Sequence, residues 1–436
     1  SSVVHGHGVP PCCGPLGPCA PMLSRRLASL VRRRLPQLLG VRRFGFAAHE
    51  DFVDIPEEQL RALIQSEVTH WAVQPQANVD LSLILQPWDP VDFMEFLKHE
   101  LPIRYARRMK LLETVPGWGH NQFIANIREM YLHSFAQLQS LASDDVTEFR
   151  SIMGEIQKRH SRTTKLVNAF REARGETLTQ EEVDSFLDTF FTGRISTSAL
   201  VSRFMAVTAS DRKEAPPQDM MSIVQGAVRK ATKLCKGYYG TAPEIEVMVG
   251  NPPPRNPPVA QYFFYILVEL LKNSCRATYD QHIVIGTSGM ASSNHVDLPP
   301  IQVIVTGNET SMCVKISDAG GGIALDELPK VWSYLYTTAD PVESRWFPEL
   351  EPDIEKMEMP LSSSLGGARL IELSPLAGLG CGLPLSQLYA KFMGGKVRLR
   401  TMPGFGCDAF VILSLTEAGL QAHFEDAMFQ MVEETG

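Results

Sequence analysis

Between Phe263 and Ala277 the chain reads Phe-Phe-Tyr-Ile-Leu-Val-Glu-Leu-Leu-Lys-Asn-Ser-Cys-Arg-Ala, with no glycine or proline. This run constrains the fold more than any other stretch. Pro257 and Pro258 lie just upstream, where the start of a helix tolerates proline. On a 3.6-residue period Glu269, Asn273 and Arg276 fall at i, i+4 and i+7 on one face. Phe263, Ile266, Leu267, Leu270 and Leu271 cover the remaining faces, so the helix is mostly buried. Its polar row then needs partners, because a polar group buried without one costs ~1–3 kcal/mol. A neutral Asn amide suits a hard cation such as Mg²⁺ shared with phosphate oxygens, and a Glu can serve as a general base. The same pattern also describes an ordinary half-buried helix with an internal Glu–Arg bridge.

Two further stretches narrow the choice. Ile301-Gln-Val-Ile-Val-Thr306 and Met312-Cys-Val-Lys-Ile-Ser317 alternate as strands do, with a turn at Asn308-Glu-Thr310 between them. Asp318 therefore ends a strand and is followed after Ala319 by Gly320, Gly321 and Gly322. Such a run lets backbone approach a ligand closely, although Asp-x-Gly is also common in plain turns. Downstream, Gly378-Leu379-Gly380-Cys381-Gly382-Leu383 precedes an apolar-periodic helix, Pro384–Phe392. Glycines opening a helix offer N–H groups and a favourable dipole to phosphate. Lys396–Thr401 and Ala409–Leu415 read as strands around Pro403-Gly404-Phe-Gly406. Together the stretches supply an acid, a metal-ligating amide, a base-reading carboxylate and two glycine loops. Those are the parts of an ATP site. Glu269 to Asp318 is 49 residues and Asp318 to Gly378 is 60, which fits one domain.

At this point the chain resembles a known family. Glu-x-x-x-Asn, Asp-x-Gly-x-Gly and Gly-x-Gly-x-Gly in this order are similar to the Bergerat ATP fold of the GHKL superfamily. More narrowly, Glu269-Leu-Leu-Lys-Asn-Ser-Cys-Arg-Ala-Thr278, Ser317-Asp-Ala-Gly-Gly-Gly-Ile323 and Pro375-Leu-Ala-Gly-Leu-Gly-Cys-Gly-Leu-Pro-Leu-Ser386 resemble the mitochondrial 2-oxoacid dehydrogenase kinases. Leu101-Pro-Ile-Arg-Tyr-Ala-Arg-Arg108 and Gly193-Arg-Ile-Ser196 are similar to that family's helical amino-terminal half. The resemblance spans about 50 to 416. It implies an all-α helical bundle followed by an α/β Bergerat sandwich, a mixed sheet with helices on one face. It also implies a serine kinase that uses ATP and Mg²⁺ to phosphorylate, and so inactivate, the decarboxylase subunit of a 2-oxoacid dehydrogenase complex. Glu269 would be the base for the acceptor serine, Asn273 would hold Mg²⁺, and Asp318 would accept from the adenine amino group. Gly320 and Gly322 would lie near the base and sugar. Gly378, Leu379, Gly380, Gly382 and Leu383 would form part of a lid over the phosphates, and Arg276 would contact phosphate or lid. The lipoyl-bearing core of the complex is the expected dock, and a homodimer the expected state.

Some positions depart from the family pattern. Ala319 stands where Arg usually follows the adenine Asp. Cys407 stands where a Thr hydroxyl usually supports that Asp, and a thiol is a poorer hydrogen-bonding group, so reduced nucleotide affinity is expected. Tyr265 replaces the His that the pyruvate branch places four residues before its base, which favours the branched-chain branch. Pro375-Leu-Ala-Gly378 and Leu388-Tyr-Ala-Lys391 are closer to the pyruvate branch, towards which the whole sequence leans. No His occurs between His160 and His282, so the helix around Arg194–Ala206 has no phospho-accepting His and phosphorelay chemistry there is excluded. A non-kinase Bergerat ATPase and a kinase-derived scaffold are the alternatives from other classes.

The first 49 residues hold seven Arg and no Asp or Glu. From Met22 to Leu35 apolar and Arg residues segregate to opposite helical faces, the signature of a mitochondrial transit peptide. Residues 1–45 are assigned to it, with a cleavage zone at Arg42-Arg-Phe-Gly45 and the mitochondrial matrix as destination. His5, His7, Cys12, Cys13 and Cys19 fall in this leader and lack spaced partners for a metal. Beyond it 34 basic residues face 49 acidic ones, a net of −15 that argues against nucleic acid. No run approaches the ~20 apolar residues of a membrane span. Five scattered cysteines fit reduced thiols. Residues 50–208 are expected to form the helical bundle, Ala209–Pro217 a linker, 218–416 the ATP-binding domain and 417–436 an acidic amphipathic tail. Asp340–Ser374 is expected to be a mobile insertion before the glycine lid. The last Trp is Trp346, so the tail lacks the Asp-Trp pair with which pyruvate-branch relatives engage the lipoyl region.

Overall fold

The computed structural model of the chain describes residues 57–141, 144–160, 166–167, 170, 178–209, 219–250, 256–286, 298–338 and 380–415. The leader, the linker beyond Ala209, the whole acidic insertion, Gly378, Leu379 and the tail lie outside the described residues.

The first half is helical. Its elements are α1 (Glu57–Ala72), α2 (Leu81–Leu85), α3 (Pro90–Glu113), α4 (Gln122–Gln139), α5 (Val146–His160) and α6 (Gln180–Val207). Local chemistry marks where they start. The Asp89 carboxylate accepts from Val91 and Asp92 N–H, and Pro90 occupies the first turn of α3, where its missing N–H costs nothing. Asn121 caps α4 in the same way. At α6 the Thr179 hydroxyl and the Glu182 carboxylate each bond the other's backbone N–H, a reciprocal capping box that satisfies two otherwise orphaned donors. α3 lies between α1, α4 and α6 and buries Phe93, Leu97, Leu101 and Met109 against Tyr131, Phe135, Phe190 and Phe204.

The second half opens with α7 (Met220–Tyr239), capped by Asp219 and closed by left-handed Gly240. Strand β1 (Ile245–Val249) leads into α8 (Ala260–Gly286), then β2 (Ile301–Gly307), β3 (Ser311–Asp318), a 3₁₀ turn (Lys330–Trp332), α9 (Gly382–Phe392), β4 (Gly395–Met402) and β5 (Gly406–Ser414). The sheet order is β1-β2-β3-β5-β4. β1 pairs parallel to β2 with Val247 opposite Val303, and every other pairing is antiparallel. The parallel pair requires a crossover, and α8 is that crossover. Ile301, Val303, Val305, Met312, Val314, Ile316, Ala409, Val411 and Leu413 are buried at alternate positions, so the helices cover one face. This is the expected class: a helical bundle followed by a mixed α/β sandwich. α7 packs on α8, and α8 packs on α9 and β3.

The two halves meet along α6. The Tyr262 hydroxyl donates to the Ile195 carbonyl at 3.0 Å, and Tyr334 donates through its hydroxyl to Asp188 at 2.8 Å and through its N–H to Asp184 at 2.8 Å. No described helix is long and apolar enough to cross a membrane.

Candidate active site

α8 is buried as its composition requires: Phe263, Ile266 and Val268 have no exposure and Leu267, Leu270 and Leu271 are nearly as enclosed. At ~1.5–3 kcal/mol for each large side chain, that apolar surface fixes the helix against the sheet and α7. The polar row is treated differently along its length. Glu269 is buried, Asn273 is exposed, and Arg276 is half-buried.

The internal Glu–Arg bridge that the spacing allowed does not form. Glu269 instead accepts from the Lys272 ammonium at 2.9 Å, both side chains being enclosed, and Arg276 pairs with Asp280 at 3.3 Å. A buried pair of this kind must be nearly complete in its hydrogen bonds to offset desolvation. Tyr265, one turn before Glu269, is buried, and burial, reinforced by the Glu269 charge, pushes its phenol well above its usual range. It stays neutral. The other oxygen of Glu269 faces the start of α9: a Cβ built on Gly382 would lie 2.5 Å from Glu269 Oε2. A side chain at position 382 would therefore displace the Glu269 carboxylate. Gly380 is similarly pressed against the backbone of Leu335 and Tyr336, and its carbonyl accepts from Leu335 N–H at 2.8 Å. Leu335 has a positive φ of 66°. Leu383 is partly buried against the core.

Asp318 ends β3 beside the middle of α8. Its Oδ2 accepts from the Ser274 hydroxyl at 2.7 Å. Its Oδ1 accepts from Gly320 N–H at 3.0 Å and Cys407 N–H at 3.2 Å. Burial pushes its carboxyl above the usual range, against the pull of those three hydrogen bonds. Gly320 lies so close to α8 that a Cβ would sit 2.4 Å from the Ala277 Cβ. That contact explains the glycine without reference to any ligand and sets the distance between the loop and the helix. Gly322, at φ +71°, abuts the Met402 carbonyl. Thr401 clamps the loop, its hydroxyl accepting from Ile323 N–H at 2.6 Å. The Cys407 thiol is pushed up to about 12 by burial and by Asp318 and Asp408, so it is a neutral thiol.

The structure sets Glu269, Asn273 and Arg276 on α8 with Asp318, Gly320 and Gly382 directly against it, while Gly322 lies against Met402, Gly380 against Leu335 and Leu383 on the core. Lys272, Ser274 and Leu335 join them, although their residue types alone do not single them out. Lys272 stands three residues after the acid, which is the available signal for it; the Ser274 contact has no local signal. The set fits an adenine nucleotide with a divalent cation. Asn273 presents its amide to solvent, and Oδ2 of Asp318 accepts one hydrogen bond among the described residues, leaving acceptor capacity for an exocyclic amine.

Comparison with known proteins identifies the family. A family model described as mitochondrial branched-chain alpha-ketoacid dehydrogenase kinase matches residues 86–225. A mitochondrial pyruvate dehydrogenase (acetyl-transferring) kinase of Arabidopsis thaliana is 29% identical over 380 residues, 81% of this chain and 94% of that protein. The isozyme 3 of that kinase from Mus musculus is 30% identical over 344 residues, 73% of this chain and 75% of its own. The chain belongs to the mitochondrial 2-oxoacid dehydrogenase kinases. The Ascaris suum pyruvate dehydrogenase kinase, 30% identical over 345 residues and 77% of its length, gives the same picture. This 2-oxoacid dehydrogenase kinase is therefore an enzyme of the GHKL superfamily, a protein kinase whose family binds ATP and Mg²⁺.

Proposed function

We propose that this kinase transfers the γ-phosphoryl group of MgATP to a serine on the decarboxylase subunit of the pyruvate dehydrogenase complex, inactivating it. The observation that carries the reading is the alignment of Glu269 and Asn273 along one buried helix, with Asp318 hydrogen-bonded to that helix through Ser274. Asp318 receives the adenine amino group. Asn273 would hold Mg²⁺, and the ion would supply charge neutralisation, which with positioning is most of what phosphoryl transfer needs. Gly320 and Gly322 line the base and sugar, and Arg276 contacts phosphate. Gly378, Leu379, Gly380, Gly382 and Leu383 cover the phosphates. Glu269 takes the proton of the acceptor serine, with Lys272 orienting its carboxylate from 2.9 Å. Because Gly382 covers that carboxylate, the serine reaches it only after the Cys381–Gly382 turn moves aside. Tyr265, held neutral, contributes a fixed dipole and no second base.

The same reading places the mature enzyme in the mitochondrial matrix, as a homodimer docked on the lipoyl-bearing core of its complex. The names of the relatives, all mitochondrial, support the mitochondrial location. A second reading, a branched-chain 2-oxoacid dehydrogenase kinase, is favoured by the description of the matching family model and by Tyr265. Kinship with protein kinases sets aside a non-kinase ATPase. Purified protein given radiolabelled ATP with both complexes side by side tests the choice: label on the pyruvate decarboxylase subunit alone is expected, and label on the branched-chain subunit alone reverses the assignment.

A further inference from the structure

Among the described residues, Asp318 is fixed by donors from three places, and only one of them is a side chain. Gly320 and Cys407 give backbone N–H groups to Oδ1; Ser274 gives a hydroxyl to Oδ2. A helical serine ordinarily turns its single proton back to the carbonyl one turn earlier. Ser274, which is 4% exposed, spends it on a carboxylate 44 residues away in sequence, at a distance that marks a charge-assisted bond. Oδ1 already holds two donors, so the acceptor capacity left for a ligand lies chiefly on Oδ2, the oxygen that Ser274 orients. The residue directly across the β3–β5 ladder from Asp318 is Cys407, whose thiol is a weak donor. The strand side of the carboxylate therefore supplies no side-chain hydroxyl, and the helix side does. The same bond ties the helix bearing Asn273 to the strand end bearing Asp318, setting the metal-side and base-side groups in one register.

We infer that Ser274 is the positioning residue for base recognition: it holds Asp318 so that Oδ2 accepts from the exocyclic amine of adenine, in place of a hydroxyl from position 407. This rests on the reading of Asp318 as the base-binding carboxylate. It also replaces the expectation that Cys407 leaves the nucleotide site weak, because the missing hydroxyl is delivered from α8.

The test is equilibrium binding of MgADP and of MgIDP, which lacks the exocyclic amine, to the full chain and to variants checked by thermal melting. Ser274→Ala is expected to weaken MgADP about five- to tenfold, the size of one ordinary hydrogen bond, with MgIDP changed less than twofold. Ser274→Thr, which keeps the hydroxyl, is expected to bind as the parent does. Adding Cys407→Thr to Ser274→Ala should recover most of the ADP preference, because a hydroxyl is returned from the opposite strand; a role confined to helix packing gains nothing from that change. In turnover, Ser274→Ala raises KM for ATP and leaves kcat within twofold. Ser274→Ala binding ADP and IDP as the parent does, while Asp318→Asn loses ADP preference, overturns the role of Ser274 and leaves Asp318 standing. An unchanged ADP preference in Asp318→Asn overturns both, which separates the two failures.

Discussion

Two helices of this kinase carry the same sequence pattern, a polar row on an otherwise apolar cylinder, and the structure uses them in opposite ways. On α3, Glu100, Arg104 and Arg108 are spaced one turn apart and are all within 5% exposure. Glu100 accepts from Ala77 N–H at 3.1 Å and from Arg104 at 2.7 Å. Arg104 also donates to the Ala77 carbonyl and Ser196, and Arg108 to Gly193, Thr197 and Tyr131. The row is consumed by its own bundle. On α8, Glu269 is paired and covered, yet Asn273 faces solvent and Asp318 beside it keeps acceptor capacity. A buried polar row is therefore not in itself a site. What distinguishes a site is the capacity left after the fold has satisfied itself.

The sharpest way to break this comparison is at the two acids. Glu269→Gln should lower kcat by ~10²–10⁴-fold, the usual worth of a positioned base, with MgADP affinity within about twofold; full activity in steady-state assays removes Glu269 from the base role. Glu100→Ala should instead cost stability, ~3–5 kcal/mol for a buried pair left with one partner. Denaturant melts read this, and ADP titration of the folded fraction should show no change. A selective loss of nucleotide binding there collapses the distinction between the helices.

Asp318→Asn comes next, with MgADP affinity down about tenfold from one charged hydrogen bond. Its pH dependence has a definite sign. Burial raises the Asp318 pKa, so the folded protein takes up that proton at a higher pH than the unfolded chain. The charged form therefore costs stability at neutral pH, and that cost is relieved as pH falls through the folded value. Nucleotide affinity moves the other way, weakening as pH falls through the same value, above the ordinary aspartate range. Adenosine, which carries no titrating phosphate, is the probe; a wild-type profile superimposable on that of Asp318→Asn denies the carboxylate its part. The smallest effect is expected from Arg276→Ala. Its pair with Asp280 is partly exposed, so melts should shift by no more than ~1 kcal/mol, while a phosphate contact appears as a larger loss for MgATP than for adenosine.

Much of this was legible in residue order. The continuous apolar run of α8 admits only a buried helix, and the alternation of Ile301–Thr306 and Met312–Ser317 around Asn308 gives the β2–β3 hairpin, because period and turn chemistry are local properties. The register of Glu269 and Asn273 on one face follows from helix geometry. Partner choice was not legible. Whether Glu269 pairs with Arg276 or Lys272 depends on which side chain the packing encloses, and Gly382 meeting Glu269 depends on how α9 docks. The glycines illustrate the gap: their spacing suggested close approach to a ligand and gave no sign that Gly320 packs against Ala277 and Gly382 against Glu269.

The sequence by itself thus determined a helical half, an α/β half and an ATP-type constellation in one domain, since these follow from periodicity and from residue types with few other uses. Only the tertiary structure decided that the acid end of the constellation is closed and its amide end open. It also decided that the side-chain hydroxyl holding the carboxylate comes from a serine on the helix, while the cysteine on the strand holds it through its backbone N–H. Those outcomes depend on distances between groups far apart along the chain, which packing sets and local pattern cannot encode.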